Sequence, residues 1–215
     1  MGRVIAIDGP SGAGKSTLAK MLADRLGFSY LDTGALYRAV ALLFLSKGVR
    51  PEDDDEGLEE ILRRSEVRMD NGRLMLNNKD VSTDIRTPEV GHYSSVFSAR
   101  KVVRDFLLDV QRQTASVSDI VVEGRDTTTV IFPDAWKKFY MDAPVSGRAR
   151  RRYLQLRQMG MDVTEEDAEK DVIERDNRDS KRDIAPLMKA GDAVIIDTTD
   201  KSIDEVLNCL LGACR

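Results

Sequence analysis

The sequence predicts an α/β protein: a three-layer fold in which helices cover both faces of a five-stranded parallel sheet. Short apolar runs alternate with segments of helical periodicity along the chain, which is the pattern of parallel strands joined by helices. A glycine-rich loop directly follows the first apolar run and opens the first helical segment. The 215 residues can bury one core without disulfides or a structural metal, so we expect a single domain.

Five apolar runs are the predicted core strands. RVIAID and FSYLD flank the first helical segment, and DIVVEG, KKFYMD and AVIID follow in the second half of the chain. Runs of this length between helical segments are typical of buried parallel strands. The predicted strands are residues 3–8, 28–32, 119–124, 137–142 and 193–197.

Helical periodicity and terminal signals define the predicted helices. Leu18, Leu22 and Leu26 recur on one face of the first helix, and Gly27 marks its end, because glycine readily adopts the left-handed conformation that closes a helix. The tetrapeptide SIDE at 202–205 matches a capping box and opens the last helix. The other predicted helices are 15–26, 35–47, segments within 87–114 and two helices within 144–182.

Two segments do not fit the alternation of strands and helices. In residues 66–81, apolar and polar residues alternate on both sides of the Asn-Gly pair at 71–72, which predicts a small hairpin insert. Residues 144–182 are helical and highly charged; Gly160 predicts the end of one helix and Thr164 the cap of the next. We therefore expect a helical hairpin that projects from the core.

The loop GPSGAGKST after the first strand matches the pattern G-x-x-x-x-G-K-[S/T]. Glycines let backbone N–H groups turn towards a polyphosphate, and the N-terminus of the next helix adds positive potential. Lys15 can reach the transferred phosphate, and the hydroxyl of Ser16 can ligate Mg²⁺. We predict an ATP site with Mg²⁺. The residues predicted to form it are Gly9, Pro10, Ser11, Gly12, Ala13, Gly14, Lys15, Ser16 and Thr17.

The phosphate loop alone leaves a switch, a motor and a small-molecule kinase open. A GTPase would carry an N-K-x-D element, and the nearest match, NNKD at 77–80, has the wrong spacing. Two alternatives remain: a kinase of the same architecture that acts on adenylate, uridylate or shikimate, and a regulatory protein that uses ATP as a switch. The regulatory protein would not need a second anion site.

Polar clusters follow three of the predicted strands, where ligands gather in an open parallel sheet. The first cluster carries Thr33 and Arg38, which form either a helix start with a surface arginine or part of a substrate site. The second carries Arg125 and Asp126 directly after an apolar strand. A partly buried arginine beside an aspartate favours an oxyanion site, because a guanidinium binds such groups through two parallel hydrogen bonds.

The stretch RDNRDSKRD at 175–183 has two interpretations. Its arginines Arg175, Arg178 and Arg182 are spaced i, i+3 and i+7, so they form one stripe on a helix, with a row of aspartates beside it. A solvated helix face is the simpler interpretation. After a phosphate loop, and with Arg148, Arg151 and Arg152 on the preceding helix, we favour an arginine-rich lid that stabilises a transferred phosphoryl group.

Composition limits the partners and the compartment. The net charge of −4 argues against a nucleic acid or an anionic membrane as the main partner, since both attract a broad basic surface. No apolar stretch approaches the roughly 18 residues of a membrane span, and no signal pattern precedes the first strand. Cys209 and Cys214 resemble buried small hydrophobic residues, which suits a reducing compartment. We expect a cytoplasmic protein.

Five motifs in order resemble the bacterial cytidylate kinases of the nucleoside monophosphate kinase group: IDGPSGAGKST, LDTGALYR, DIRTPEV, GRDTTTVIFPDA and ERDNRDSKRDIAPL. The resemblance runs nearly end to end. It implies ATP-dependent phosphorylation of CMP and dCMP in pyrimidine nucleotide metabolism by a monomer. It also implies a core at 1–60, 88–143 and 184–215, a monophosphate-binding insert at 61–87 and a mobile lid at 144–183.

The resemblance also implies roles for individual residues. For the acceptor, it implies that Ser95, Arg104 and Asp126 bind the cytosine, that Asp179 and Arg175 bind the ribose, and that Thr33, Arg38, Arg125 and Arg182 bind the phosphate. We expect the catalytic residues to be Lys15, Arg125, Arg175, Arg178 and Arg182, and we expect Arg148 and Arg151 to contact ATP.

One position departs from the family pattern. The family usually has G-R-D-x-G-T after the fourth strand, and this chain has Thr128 in place of the second glycine. If that position required a positive φ, a threonine would cost about 1 to 2 kcal/mol or force a different turn. The placement of Asp126 depends on which of these occurs.

Overall fold

The structure, a computed structural model, describes residues 2–70 and 72–214. These residues form two compact units. We call residues 3–31 and 119–214 the sheet unit, and Gly2 with residues 32–118 the helical unit.

The strands and helices are numbered in chain order. The strands are β1 (Val4–Asp8), β2 (Ser29–Asp32), β3 (Val67–Asp70), β4 (Arg73–Leu76), β5 (Lys79–Asp80), β6 (Ile120–Glu123), β7 (Lys137–Asp142) and β8 (Val194–Asp197). The α-helices are α1 (Lys15–Leu26), α2 (Thr33–Ser46), α3 (Asp55–Arg63), α4 (Pro88–Phe97), α5 (Lys101–Ser116), α6 (Val145–Gln158), α7 (Glu165–Lys181) and α8 (Ile203–Ala213).

The sheet unit contains the predicted five-stranded sheet, in the order β2-β6-β1-β7-β8. The central strand β1 pairs in parallel with both β6 and β7, and β7 pairs in parallel with β8. Every residue of β1 is buried, as expected for a strand covered on both faces. The predicted fold class is confirmed, and each predicted core strand lies within one residue of its observed bounds.

The core of the sheet unit joins the sheet to α1 and α8. Ile5 and Ile7 of β1 are fully buried, and the apolar face of α1 packs against β6 and α8. The buried members of this core include Leu18, Leu22, Val121, Phe139, Met141, Ile196, Leu207 and Leu210. Because this core lies directly behind the phosphate loop, it supports the start of α1, where the loop ends.

The predicted helical hairpin is formed by α6 and α7, which pack against each other within the sheet unit. Gly160 after α6 has φ +78°, and Thr164 caps α7 in a capping box with Asp167. The predicted capping box of α8 is also present, between Ser202 and Glu205. The sequence signals for these helix ends are therefore confirmed.

The helical unit is built around α2, which packs against α4 and α5. Phe44 of α2 and Phe97 of α4 meet edge to face, with ring centroids 4.8 Å apart. The predicted hairpin appears as β3 and β4, with the unpredicted β5 added to give an antiparallel sheet of three strands. Of its predicted turn, Asn71 lies outside the described residues, and Gly72 has φ +77°.

Several sequence predictions differ from the structure. Helix α3 and the π-helical turn Thr127–Ile131 were not predicted, and α2 begins at Thr33, two residues earlier than expected. Both cysteines are free thiols, but only Cys214 is buried, because Cys209 faces solvent on α8. The interpretation of Cys209 as a buried residue was therefore wrong. Within the described part of the chain, each helix is too short or too polar to cross a bilayer.

Candidate active site

The phosphate loop connects β1 to α1 at the carboxyl edge of the sheet, as predicted. Gly9 is required by close approach: a Cβ there would lie 2.0 Å from the backbone oxygen of Met141 on β7. Gly14 caps α1 with φ +88°, a conformation that residues with a side chain rarely adopt. The loop therefore combines a tight fit against the sheet with a turn that directs the first N–H groups of α1 towards a ligand.

Lys15 is buried inside this loop. Its Nζ donates hydrogen bonds to the backbone oxygens of Gly9 and Pro10, both at 2.7 Å. Burial, and next the charge of Arg125, lower the pKa of Lys15 from 10.5 to about 7, although the carboxylates of Glu123 and Asp8 oppose this effect. The lysine is thus placed so that an anion in the loop would stabilise its charged form.

Ser16 and Thr17 occupy the first turn of α1 and are exposed. Among the described residues, no group of three or more His, Cys, Asp or Glu side chains could hold a metal ion. Mg²⁺ usually retains several waters and binds through one or two protein groups together with substrate phosphates. A single hydroxyl beside a phosphate loop fits that kind of binding.

Glu123 is a site residue that the sequence analysis missed. It is the last residue of β6 and is buried, and its Oε1 accepts a hydrogen bond from the hydroxyl of Tyr30 at 3.0 Å. Its charge also acts on the pKa values of Lys15 and Arg125. The available signal was an acidic residue at the end of an otherwise apolar strand, because such a residue faces the carboxyl edge where ligands bind.

Two ion pairs connect the segment after β6 with α7 and its C-terminal end. Nε of Arg125 donates to Oδ2 of Asp179 at 2.8 Å, and Nη2 of Arg182 donates to Oδ1 of Asp126 at 3.2 Å. Burial alone would lower the pKa of Arg125, but Asp179 and next Glu123 raise it, so the guanidinium stays charged. The structure thus brings together four of the predicted substrate-binding residues.

Asp176 is a second residue that sequence reasoning did not single out. Its Oδ1 accepts a hydrogen bond from the backbone N–H of Ser11 at 2.9 Å, and its Oδ2 forms an ion pair with Nη1 of Arg148. Arg148 is buried and also donates to the backbone oxygens of Ser11 and Ala143. A carboxylate of α7 therefore contacts the same loop N–H and the same arginine that we predicted to bind phosphates.

The remaining arginines of the helical hairpin have different surroundings. Arg151 donates to the hydroxyl and the backbone oxygen of Thr198, at 3.0 and 2.5 Å, and Arg152 pairs with Asp171 of α7 at 2.8 Å. Arg175 and Arg178 lie half-buried on α7. Nε of Arg178 is buried and, as far as the described residues go, has no hydrogen-bond partner. An anion could satisfy that donor.

The other predicted acceptor-binding residues lie in the helical unit. Thr33 and Arg38 are on α2, Ser95 is on α4 and Arg104 is on α5. Arg104 is buried, donates to the backbone oxygen of Ser98 at 3.2 Å, and lies over the ring of Tyr37, with 5.7 Å from its Cζ to the ring centroid. Tyr37 was not predicted as a site residue. The buried Oγ of Ser95 has no hydrogen-bond partner within residues 2–70 and 72–214.

A parallel sheet with a G-x-x-x-x-G-K-S loop between its first strand and first helix, with Arg125 acting on the loop lysine and Arg148 bonded to the loop backbone, has the architecture of a P-loop kinase. The chain belongs to the cytidylate kinase family, because the sequence model of that family matches residues 5–215.

Individual relatives agree with this assignment. A cytidylate kinase from Thermodesulfovibrio yellowstonii is 52% identical over 215 residues, covering 98% of this chain and 97% of its own. One from Geobacter sulfurreducens is 49% identical and covers 100% of this chain and 93% of its own. An uncharacterized protein from Eubacterium ventriosum has a solved structure similar at a TM-score of 0.55, with 14% identity and coverage of 99% and 97%. That last similarity concerns the fold alone.

Proposed function

We propose that this protein transfers the γ-phosphate of ATP to CMP, and also to dCMP, and releases ADP and the corresponding diphosphate, as a step of pyrimidine nucleotide metabolism. Membership of the cytidylate kinase family supports this activity. The structural observation that carries the proposal is the position of Arg125. Its charge lies close enough to lower the pKa of the loop lysine, Lys15, while its side chain is held by Asp179 of α7.

On the donor side, residues 9–17 and Lys15 bind the phosphates of ATP. Backbone N–H groups and the start of α1 supply partial positive charge without reorganisation. Arg148, which lies against the loop, and Arg151 add two further cations. Ser16 would hold Mg²⁺ through its hydroxyl, and the ion would supply charge neutralisation on the phosphate oxygens.

On the transfer side, the arginines stabilise the moving phosphoryl group. Phosphoryl transfer needs little covalent chemistry from the protein, so catalysis depends on alignment and on charge placed at the equatorial oxygens. Arg125 and Arg182 are each paired with a carboxylate. Substrate binding therefore exchanges a carboxylate for a phosphate around each guanidinium. The residues in this role are Lys15, Arg125, Arg175, Arg178 and Arg182.

Recognition of the acceptor rests on the family resemblance. We assign the cytosine to Ser95, Arg104 and Asp126, the ribose to Arg175 and Asp179, and the acceptor phosphate to Thr33, Arg38, Arg125 and Arg182. The buried hydroxyl of Ser95 and the buried guanidinium of Arg104 support a polar role, because buried polar groups are normally hydrogen-bonded. The rival kinases for adenylate, uridylate or shikimate would not need this set of residues.

We also propose that residues 61–87 are the monophosphate-binding insert and residues 144–183 a lid that is mobile until both substrates are bound, in a cytoplasmic monomer. Amide hydrogen exchange across residues 148–182 is expected to slow when a bisubstrate analogue is added. Unchanged protection there would contradict the lid.

The experiment that tests the activity is a coupled assay of ADP formation with a panel of acceptors. CMP and dCMP should be phosphorylated with the highest kcat/KM, and UMP, AMP and shikimate should be poorer acceptors. Preference for another acceptor would identify a different small-molecule kinase. Tight ATP binding with no acceptor in the panel turned over would instead support the regulatory protein that uses ATP as a switch.

A further inference from the structure

Asp8, the last residue of β1, is a fully buried carboxylate next to the first glycine of the phosphate loop. It accepts four hydrogen bonds from two consecutive threonines. Oδ1 accepts from the N–H and the hydroxyl of Thr127, at 3.0 and 2.7 Å. Oδ2 accepts from the N–H and the hydroxyl of Thr128, at 2.7 and 2.6 Å. Burial of a carboxylate is unfavourable unless such bonds compensate it.

The two threonines directly follow Arg125 and Asp126. The backbone of this short segment is held on one side by β1, through a bond of 3.0 Å from the N–H of Gly124 to the oxygen of Ile7. On the other side, the backbone oxygen of Asp126 accepts from two N–H groups of the π-helical turn, at 2.9 and 3.1 Å. Asp8 thus bonds to the first two residues of that turn, directly after Arg125 and Asp126.

Thr128 is the position where this chain departs from the family pattern. Its φ is not positive, so the threonine incurs no strain from a left-handed backbone. Its hydroxyl instead supplies the fourth donor to Asp8, which a glycine could not do. Hydrogen bonds to an ionised acceptor are roughly twice as strong as those between neutral groups. The hydroxyl of Thr128 therefore gives Asp8 one more bond to this turn than the backbone alone could supply.

We propose that Asp8, acting through Thr127 and Thr128, is a positioning residue for Arg125 and Asp126, and that the Thr128 hydroxyl strengthens this placement. This inference rests on the proposed function, in which Arg125 and Asp126 bind the acceptor. Because Asp8 adjoins Gly9, one carboxylate fixes both the start of the phosphate loop and the turn that carries the acceptor-binding pair. The two substrates are thereby aligned against a common buried anchor.

The test uses kinetics with CMP and ATP varied separately. In Thr128→Val, the hydroxyl is lost but the carboxylate and the phosphate loop remain. We expect its KM for CMP to rise about tenfold, the loss typical of a charged hydrogen bond, while its KM for ATP changes less than about twofold. Thr128→Ser, which retains the hydroxyl, should restore the KM for CMP. Asp8→Asn should raise the KM for CMP further. The amide nitrogen of asparagine cannot accept a hydrogen bond, so one of the two threonines would lose its acceptor.

Thr114→Val is the matched control. The hydroxyl of Thr114 donates to the backbone oxygen of Val110 within α5, at 2.7 Å, so this variant also loses one bonded hydroxyl. We expect it to lower the Tm without changing either KM.

If Thr128→Val lowers the Tm but leaves the KM for CMP unchanged, or raises both KM values equally, the inference is overturned. If Asp8→Asn does not fold, the threonine variants still decide. Failure of the unmodified protein to phosphorylate CMP would reject the proposed function itself, which is a distinct result.

Discussion

The carboxylate of Asp176 on α7 accepts a hydrogen bond from the backbone N–H of Ser11 in the phosphate loop, at 2.9 Å. Its other oxygen pairs with Arg148. This side chain thus contacts donors that we assign to the phosphates of ATP. A phosphate that binds there must displace the carboxylate or lie beside a like charge.

Asp176→Asn is therefore expected to bind ATP about fivefold more tightly than the unmodified protein. The asparagine retains an oxygen for the N–H of Ser11 but loses the charge, and a neutral hydrogen bond is weaker by about 1 kcal/mol. Calorimetric titration with ATP measures the change. Asp171→Asn is the control, since Asp171 pairs with Arg152 in the same helical hairpin, and its Kd for ATP should be unchanged. Weaker binding by Asp176→Asn would mean that Asp176 orients Arg148 for the nucleotide.

Lys15→Ala is expected to abolish phosphoryl transfer while the fold is retained. The side chain bonds to the loop oxygens of Gly9 and Pro10, but the proposed mechanism gives it charge at the transferred phosphate. Steady-state kinetics and circular dichroism measure the two properties. Lys20→Ala, an exposed lysine of the same helix, is the control and should keep normal kcat. A variant at Lys15 that retains more than about a tenth of kcat, a loss below roughly 1.4 kcal/mol, would contradict the role.

ATP binding is expected to take up a proton at Lys15. Its pKa of about 7 leaves the amine mostly neutral at pH 8, and a bound polyphosphate should raise that pKa and restore the charge. Binding should thus take up about one proton at pH 8 and little at pH 6, where the amine is already protonated. Calorimetry in buffers of different ionisation enthalpy counts the protons. Lys15→Met should abolish the difference between the two pH values, and equal uptake in that variant would point to another group.

Asp179→Ala is expected to lower kcat/KM for CMP by about 10- to 150-fold and to lower it less for dCMP. Charged hydrogen bonds are worth about 1.5 to 3 kcal/mol, and dCMP lacks one of the two hydroxyls that we assign to Asp179. Loss of the 2.8 Å bond to Arg125 affects both acceptors alike, so the difference between them isolates the 2′-hydroxyl. Asp183→Ala, an exposed aspartate in the segment after the same helix, is the control. Equal losses would show that Asp179 acts only through Arg125.

Local patterns were sufficient for the sheet and for the phosphate loop. β1 could be predicted because a strand buried on both faces has an uninterrupted apolar run, here VIAI. The phosphate loop could be predicted because its glycine and lysine spacing is a local pattern. Helix α3 was missed because its acidic N-terminal half obscures a short apolar face formed by Leu58 and Leu62. The N-cap of α3 is Asp54. It lies within three consecutive aspartates, any of which could cap a helix, so the sequence does not indicate where the helix begins.

The partners of the arginines could not be predicted in the same way. Asp126 and Arg182 are 56 residues apart in sequence, and no periodicity connects side chains across that distance. The stripe formed by Arg175, Arg178 and Arg182 was visible, but the inward contacts of Asp176 depend on how α7 packs within the sheet unit. Likewise, the π-helical turn at Thr127–Ile131 bonds to Asp8, which lies 119 residues before the first of its threonines.

The order of strands in the sheet has a consequence for biosynthesis. β1 is made before the other strands of its sheet, yet its Val4 pairs with Ile120 of β6, and its second neighbour, β7, is made later still. The helical unit, whose contacts lie largely within residues 32–118, can be completed while β1 still has no partner. Strands so far apart in sequence pair slowly, because the chain loses the entropy of closing a long loop before the contacts between the strands stabilise it. A nascent chain stalled before Asp119 thus carries an unpaired apolar strand, and such a strand promotes aggregation. We expect a chain truncated after Ser118 to aggregate, which light scattering would detect.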